Sequence, residues 1–324
     1  MNQPPNTYIS VPHQALHSFV SQAAQTVGLP ADKAELLAEL LVDNDLRGVF
    51  SHGTTQIATY ARLMRDGILN AQPNVQVARE TPVSLLVDGD GGLGYFASHM
   101  ATLGLIEKAK AQGMATVLTR NHGHFGAAGI YSRMTLTHDL LCFVTSGHQL
   151  EVQAGQPLLA AAGGSPMSFS APALEEESLL LDFGAIHDLG GPYGQAIAKL
   201  APGTAFRSIG MGMICQSWGG FLAGVPLDTA RSGRTYSGAN QGSLVMAFRI
   251  DLFMEPTQFK QEMDAYVRRV RELQPLVGFD ESFLPGGLEA KRAKLYQVQG
   301  VPVGPTHQQR LEELAQELGI AAPW

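Results

Sequence analysis

The tripeptide Ser51-His52-Gly53 is the part of this sequence whose residue types best suit acid–base chemistry. An imidazole titrates near neutrality, so His52 suits both the donation and the removal of a proton, and either Ser51 or a carboxylate would fix its tautomer. Ser51 also suits the N-cap of a helix that buries Ile57 and Met64, and the dipole at that helix start would disfavour the imidazolium form. A lone histidine at a helix start is more often a capping or packing residue, and that interpretation stays open.

The segment Gly89-Asp90-Gly91-Gly92-Leu93-Gly94 fits the G-x-G-x-x-G pattern of dinucleotide-binding loops and lies between a predicted strand and a predicted helix. The acidic residue that would bind the ribose is absent, because the next strand ends at Thr119-Arg120-Asn121. Arg120 would suit a 2′-phosphate, but three helices precede the first strand, which fits a Rossmann fold poorly. We therefore interpret the segment as a glycine-rich turn rather than a phosphate cradle.

Neither the histidine pair nor the cysteines predict a metal or thiol site. His122 and His124 alternate along the chain, but no third ligand stands at a suitable spacing, so no metal is expected. Cys142 and Cys215 lie in apolar stretches without a flanking His or basic residue, which predicts buried free thiols.

Composition narrows the class of protein. The chain has 324 residues, of which 45% are hydrophobic and 16% charged, and a net charge of -7. This is typical of a globular protein with one large or two interleaved domains, and the negative charge argues against a nucleic-acid partner. No apolar run is long enough to cross a bilayer, so no membrane partner is expected. The start Met1-Asn2-Gln3-Pro4-Pro5 lacks the features of a secretory signal, and we expect a cytoplasmic location.

Hydrophobic periodicity predicts helices first and then alternating strands and helices. The predicted helices are 14–27, 30–41, one from Ser51, 95–111, 127–136, 210–223, 257–273 and 308–318. The predicted strands are 83–87, 115–119, 140–145, 167–170, 179–181 and 244–252, with long loops at 155–165 and 184–203. This order predicts an α/β fold whose sheet is flanked by helices.

Several blocks in fixed order resemble the type-2 malate/L-lactate dehydrogenase family. The run from Asp45 to Gly53 resembles the family signature, Val87 to Gly94 its next block, and Arg120 to Gly129 its Asn-x-x-His-Phe-Gly block. Gly164-Ser165-Pro166 lies where the family has Gly-x-Asn-Pro, and Leu181-Asp182 where it has a strand that ends in Asp. The resemblance covers most of the chain and identifies it as a divergent member of the family.

The resemblance implies a mixed sheet in a non-Rossmann arrangement, and homodimers that shape the NAD or NADP and substrate sites. It implies that Asp182 orients His52 and that His124 and Gly126 lie at the nicotinamide pocket. Asn121 and Ser146 stand where polar groups would meet the substrate or the cofactor, and we assign them to the substrate.

Three positions depart from the family pattern. Gln56 replaces an arginine that pairs with the substrate carboxylate in the family. An amide supplies no charge, so the affinity for a 2-oxo acid should fall unless Arg47 or Arg120 compensates. Ser165 replaces Asn in the Gly-x-Asn-Pro block. The stretch from Asp182 to Gly210 is short, and Arg207 is left to face a cofactor phosphate in place of a lysine.

These features predict an NAD(P)-dependent enzyme that acts on a small 2-oxo or 2-hydroxy acid or a cyclic imine, with His52 as acid/base. The alternative is a divergent homologue that has lost nicotinamide binding and is a non-redox lyase, isomerase or ligand-binding protein. The predicted organisation is a helical part at 1–80 with the signature, a mixed-sheet core at 81–256, and a helical part at 257–324 that packs back on the first.

Overall fold

The computed structural model describes residues 3–324, and the chain divides into two compact units. The first unit contains the chain up to Pro73 together with Gly286–Trp324, and the second contains Asn74–Pro285. The boundaries of these two units lie after Pro73 and after Pro285. The three-part organisation with boundaries at 80 and 256 stays a prediction. Within the described residues no helix is both long and apolar enough to span a membrane.

Residues 3–324 form eleven α-helices and nine strands, besides short 3₁₀ turns. The helices are α1 (His13–Thr26), α2 (Ala31–Leu46), α3 (Ile57–Arg65), α4 (Gly94–Gln112), α5 (Gly129–Met134), α6 (His187–Gly190), α7 (Gly194–Leu200), α8 (Pro202–Cys215), α9 (Pro256–Arg271), α10 (Gly287–Gln299) and α11 (Pro305–Leu318). The strands are β1 (Ile9–Val11), β2 (Gln76–Thr81), β3 (Ser84–Asp88), β4 (Met114–His122), β5 (Leu140–His148), β6 (Pro166–Ala171), β7 (Leu179–Gly184), β8 (Gln241–Arg249) and β9 (Val301–Val303).

The first unit is built from five helices around the long pair α1 and α2. Their apolar positions recur at helical spacing and are buried, as Leu16 and Val20 of α1 and Leu37 and Leu41 of α2 illustrate. Helix α10 packs on α2, and α11 packs on α1 and α3. The C-terminal segment is therefore part of the same compact unit as the signature, and β1 pairs with β9 across these segments.

The second unit is built on a seven-stranded sheet in the order β2-β3-β4-β8-β5-β6-β7. Only β3 and β4 pair in parallel, and every other neighbouring pair in this sheet is antiparallel. Helices α4 and α5 pack on one face. This confirms the α/β fold with a mixed sheet and excludes the parallel Rossmann order.

Most predicted elements are present, and the differences concern their ends. The third helix begins at Ile57, so Ser51 as its N-cap was wrong. The apolar helix starts at Pro202 rather than 210 and continues as a π-helix over Gln216–Phe221. The predicted loop at 184–203 contains α6 and α7. Strand β2 was missed because all but the last of its residues are exposed and no alternation marks it.

Candidate active site

The Ser51-His52-Gly53 segment lies in 3₁₀ turns and not at an α-helix start. One turn covers Phe50–His52 and the next covers Thr54–Gln56, immediately before α3. The Ser51 Oγ lies 2.9 Å from Nδ1 of His52, so the exposed serine orients the half-buried ring. Burial lowers the pKa of His52. The neutral imidazole is thus favoured by desolvation, rather than by the helix dipole that the sequence had suggested.

Two adjacent residues at the C-terminal end of α2 hold this segment by its backbone. The Asn44 amide donates to the carbonyl oxygen of His52 over 2.9 Å. The Asp45 carboxylate accepts from the N–H of Thr54 over 2.9 Å and from its hydroxyl over 2.5 Å. Asn44 is 1% exposed and Asp45 is fully buried. The signature is therefore fixed on both sides of Gly53 by buried hydrogen bonds.

The hydroxyl of Thr54 connects Asp45 to α11. Its Oγ1 lies 3.0 Å from Nε2 of His307. Since the hydroxyl gives its only hydrogen to the carboxylate, the ring of His307 must be the donor. Burial, with the nearby Arg310 charge, lowers the pKa of His307 to about 4, and burial raises the pKa of Asp45 to about 7 despite the two bonds from Thr54.

The glycine of the signature is required by Asp45. A Cβ on Gly53 would lie 1.7 Å from Oδ1 of Asp45, which no side chain can occupy. That Oδ1 is buried without a hydrogen-bond partner among the described residues.

The two remaining candidates of the first unit are engaged locally. Gln56 donates from Nε2 to the Ser51 carbonyl oxygen over 2.6 Å, which further restrains the signature. Arg47 donates from Nε to both carboxylate oxygens of Asp43 at 3.0 Å.

The candidates of the second unit gather at one end of its sheet. Because of the strand directions, the C-terminal ends of β3, β4, β5 and β7 meet the N-terminal ends of β8 and β6 there. This end carries Asn121 at the close of β4, His124 and Gly126 just after it, Ser146 near the end of β5, and Ser165 just before β6.

The glycine-rich turn is closed against the segment that follows β4. Gly89, Gly91 and Gly94 donate their N–H groups to the carbonyl oxygens of Arg120, Asn121 and His124. The N–H of Gly92 goes to Gly89 O and that of Asp90 to the Asp88 carboxylate. These donors are consumed within the protein, which confirms the turn interpretation over a phosphate cradle.

Asp88 is the carboxylate that binds the residues beside this turn. Arg120 donates to it over 2.9 Å and the Asn121 amide over 2.8 Å. Burial acts to raise the pKa of Asp88, but these bonds, together with the Asp90 N–H, outweigh it and lower the pKa. Arg120 is therefore already paired. Asn121 has φ of 53°, and its Oδ1 is buried without a partner in the described chain.

The residues after β4 differ in what they do. His122 is fully buried, bonded to Thr119 and to Gly123 O, and burial lowers its pKa to about 4. Its neighbour His124 is half-buried. Gly126 has φ of 86° and packs closely on Tyr95, because a Cβ would lie 2.6 Å from the ring. Glycine at this position therefore has a packing and a backbone reason.

Asp182 lies within the edge strand β7 rather than at its end. Its side chain is exposed, and its Oδ2 accepts from the N–H of Gly129 at the start of α5 over 2.9 Å. The position suits a capping role and leaves the predicted role beside His52 as a prediction.

Ser146, Ser165 and Arg207 stand in three different surroundings. Ser146 is 6% exposed in β5. Ser165 is 2% exposed, has φ of 47°, and its Oγ has no partner among residues 3–324. Helix α8 packs beside it, since a Cβ on Gly212 would lie 3.1 Å from Cβ of Ser165. Arg207 is exposed on α8 and makes no ion pair within the described part of the chain.

No three His, Cys, Asp or Glu side chains among the described residues are grouped to hold a metal ion. Both cysteines are buried and free, and burial raises the pKa of Cys142 to about 12.

Four residues of this site were missed from the sequence. Asn44 and Asp45 stand next to or within the signature block, but their polarity alone does not indicate what they bind. Thr54 and His307 are 253 residues apart, and no local pattern relates them.

Comparison with known proteins gives matches along nearly the whole chain. A family model described as malate/L-lactate dehydrogenase matches residues 11–186 and 191–312. The L-sulfolactate dehydrogenase of Methanocaldococcus jannaschii is 26% identical, over 90% of this chain and 92% of the relative. The ureidoglycolate dehydrogenase (NAD(+)) of Escherichia coli O157:H7 is 22% identical, over 91% and 93%.

One relative is similar in both sequence and fold. The malate dehydrogenase of Pyrococcus horikoshii is 25% identical over 97% of this chain and 96% of the relative. A solved structure of malate dehydrogenase from Pyrococcus horikoshii OT3 superposes with a TM-score of 0.83, at 23% identity, over 99% of both chains. The fold is therefore shared in full.

Proposed function

The chain belongs to the malate/L-lactate dehydrogenase family, and we propose that it is an oxidoreductase that moves a hydride between NAD or NADP and a small 2-oxo or 2-hydroxy acid or cyclic imine. The observation that carries the proposal is the fixed, half-buried His52 within a signature that the family model spans.

His52 is proposed as the proton-transfer group. A bound nicotinamide supplies or accepts the hydride. In the reductive direction His52 gives a proton to the substrate oxygen or nitrogen, and in the oxidative direction it removes one from the hydroxyl or amine. The lowered pKa keeps the ring a ready proton acceptor at neutral pH. Ser51 orients the ring at Nδ1.

The second unit offers groups that fit a nicotinamide cofactor. Two buried polar atoms there, Oδ1 of Asn121 and Oγ of Ser165, have no partner in the described chain, and both residues have positive φ. Unpaired buried atoms and local backbone strain are typical of ligand sites. We propose that His124, Gly126 and Ser165 line the cofactor site and that the unpaired charge of Arg207 faces a phosphate.

The substrate carboxylate would be held without a dedicated arginine. Arg47 and Arg120 are paired with Asp43 and Asp88. Gln56 and Asn121 each use one amide N–H within the protein, so the second N–H of each, together with the Ser146 hydroxyl, is proposed to bind the carboxylate. Gln56→Arg should therefore lower KM for a 2-oxo acid by about tenfold or more, because a bidentate ion pair replaces an amide contact. Gln56→Lys is the matched control, since it adds the charge without the fork.

A role for Asp182 in orienting His52 is proposed from the family resemblance. It predicts that Asp182→Asn lowers kcat without weakening cofactor binding. A double-mutant cycle with His52→Gln tests it: the two effects are expected to be non-additive, and additive effects would assign Asp182 to capping α5 alone.

A homodimer is proposed from the second face of the sheet. On the face opposite α4 and α5, the cross-strand pair Phe169 and Leu181 is 39% and 36% exposed, and Phe248 of β8 is 39% exposed. Exposed apolar patches of this kind mark interfaces. Phe169→Glu should therefore shift the mass measured by light scattering from dimer to monomer, whereas Met100→Glu, 40% exposed on α4, should not. A monomeric wild type would refute the proposal.

The cofactor test separates the two functions predicted from the sequence. Thermal stability is measured with NADH and with NADPH, followed by oxidation of the stabilising cofactor in the presence of a panel of 2-oxo acids and cyclic imines. If the protein is the oxidoreductase, at least one of the two cofactors raises its Tm and is then oxidised when a substrate is present. A chain that is stabilised by neither at saturating concentration is the non-redox homologue, and the joint departure from the family pattern at Gln56, Ser165 and the short stretch before Gly210 is the sequence feature that favours it.

A further inference from the structure

The buried residues behind the signature form a continuous hydrogen-bonded chain. His307 of α11 donates to Thr54, Thr54 donates to Asp45, and Asp45 also accepts the N–H of Thr54. The adjacent Asn44 holds the carbonyl of His52. Each of these hydrogen bonds includes His52 or Thr54, the two residues that flank Gly53.

We propose that Asp45, Thr54 and His307 are positioning residues for His52, and that α11 acts through them to fix the proton-transfer group. This inference rests on the proposed function of His52. None of the three is proposed to touch substrate; each acts through the backbone of the signature.

The geometry favours positioning over general stabilisation for two reasons. First, the polar groups are buried beside a segment of 3₁₀ turns, which has few internal hydrogen bonds and takes its shape from its surroundings. Second, Gly53 and Asp45 fit so closely that the segment cannot shift toward the carboxylate. We therefore expect the loss of one hydrogen bond in this network to displace His52 while the unit remains folded.

The groups that face the network come from three elements. Asp45 lies on α2, Thr54 in the turn before α3, and His307 on α11, where Arg310 adds a nearby positive charge.

Thr54→Val tests the proposal, because it keeps the shape of the side chain and removes the hydroxyl. The readout is the imidazole titration of His52, followed by NMR in the full chain, which needs no turnover. We expect the His52 titration midpoint to move toward its ordinary value, by about half a pH unit or more, as the loosened turn exposes the ring. Amide hydrogen exchange at Gly53 and Thr54 should accelerate at least tenfold.

Matched variants separate positioning from stability. Thr54→Ser restores the hydroxyl and should return the wild-type titration. Ser21→Ala removes another buried hydroxyl of the same unit, one that bonds Gln25 of α1 and Glu35 of α2. It should leave the His52 titration unchanged. An unchanged His52 titration and unchanged exchange in Thr54→Val would overturn the proposal. Absence of turnover in the wild type would instead refute the proposed function, so the two failures are distinguishable.

Discussion

Gly53→Ala is the substitution whose effect follows most directly from the geometry. The backbone at Gly53 is extended, with φ of -89° and ψ of -156°, and a negative φ does not by itself require glycine. Only the carboxylate stands in the way, with Oδ1 at 1.7 Å and Cγ at 2.4 Å from the added Cβ. Either Asp45 leaves its place or the signature moves, and both break the two bonds from Thr54.

The magnitude follows from those two bonds. A hydrogen bond to a charged group contributes about 1.5–3 kcal/mol, so Gly53→Ala should lower the free energy of unfolding by about 3–6 kcal/mol. In an Asp45→Ala background the obstacle is absent, and the same substitution should cost less than about 1 kcal/mol. The coupling energy between the two positions is thus at least about 2 kcal/mol.

The assay is urea unfolding of the four proteins of this cycle, at about pH 8, above the Asp45 pKa of about 7, so that the carboxylate is ionised. Gly210→Ala is the control, because a Cβ there meets open space within α8; it should be neutral or stabilising. Equal losses for Gly53→Ala with and without Asp45 would refute the packing argument.

Three further predictions concern stability. Gln216, 2% exposed, bonds both the N–H and the carbonyl of His148, so Gln216→Leu should cost about 2–4 kcal/mol in urea unfolding, and a loss below about 1 would contradict this. The pKa of His307 is lowered to about 4 in the folded protein, so the unfolded protein binds one more proton below pH 6.5 and stability falls as pH drops from 6.5 to 4. His307→Leu should reduce that slope by about 1.4 kcal/mol per pH unit. An unaltered slope would argue against a buried neutral ring. Ser165→Gly, by relieving positive φ and an unpaired hydroxyl, should raise stability by about 1 kcal/mol while weakening cofactor binding, and a destabilised variant would contradict the strain.

Patterns with a regular period predicted the fold well. The strands Ser84–Asp88, Leu140–His148 and Gln241–Arg249 were found because buried apolar residues dominate them, and α1 because its apolar residues recur every three or four positions. Helix α8 was placed eight residues late because Pro202 and Gly203 were taken as loop residues, although proline suits the first turn of a helix.

The site was predictable only as far as its chemistry is local. The signature identified His52 and Ser51, whose contact is between neighbours in sequence. The partners that fix the segment are set by tertiary packing: Thr54 meets His307 across 253 positions, and Gln216 meets His148 across 68. No spacing rule relates such residues before the fold is known.

The proposed role of His52 as the proton-transfer group in a nicotinamide-dependent reaction is tested by the turnover of His52→Gln. The rate of cofactor oxidation with the best substrate is compared among wild type, His52→Gln and His124→Gln, together with the Kd for the reduced cofactor. We expect His52→Gln to lower kcat by about 10²–10⁴-fold with the cofactor Kd unchanged, and His124→Gln mainly to weaken cofactor binding. A kcat of His52→Gln within a few-fold of wild type, with the large loss found in His124→Gln instead, would contradict it.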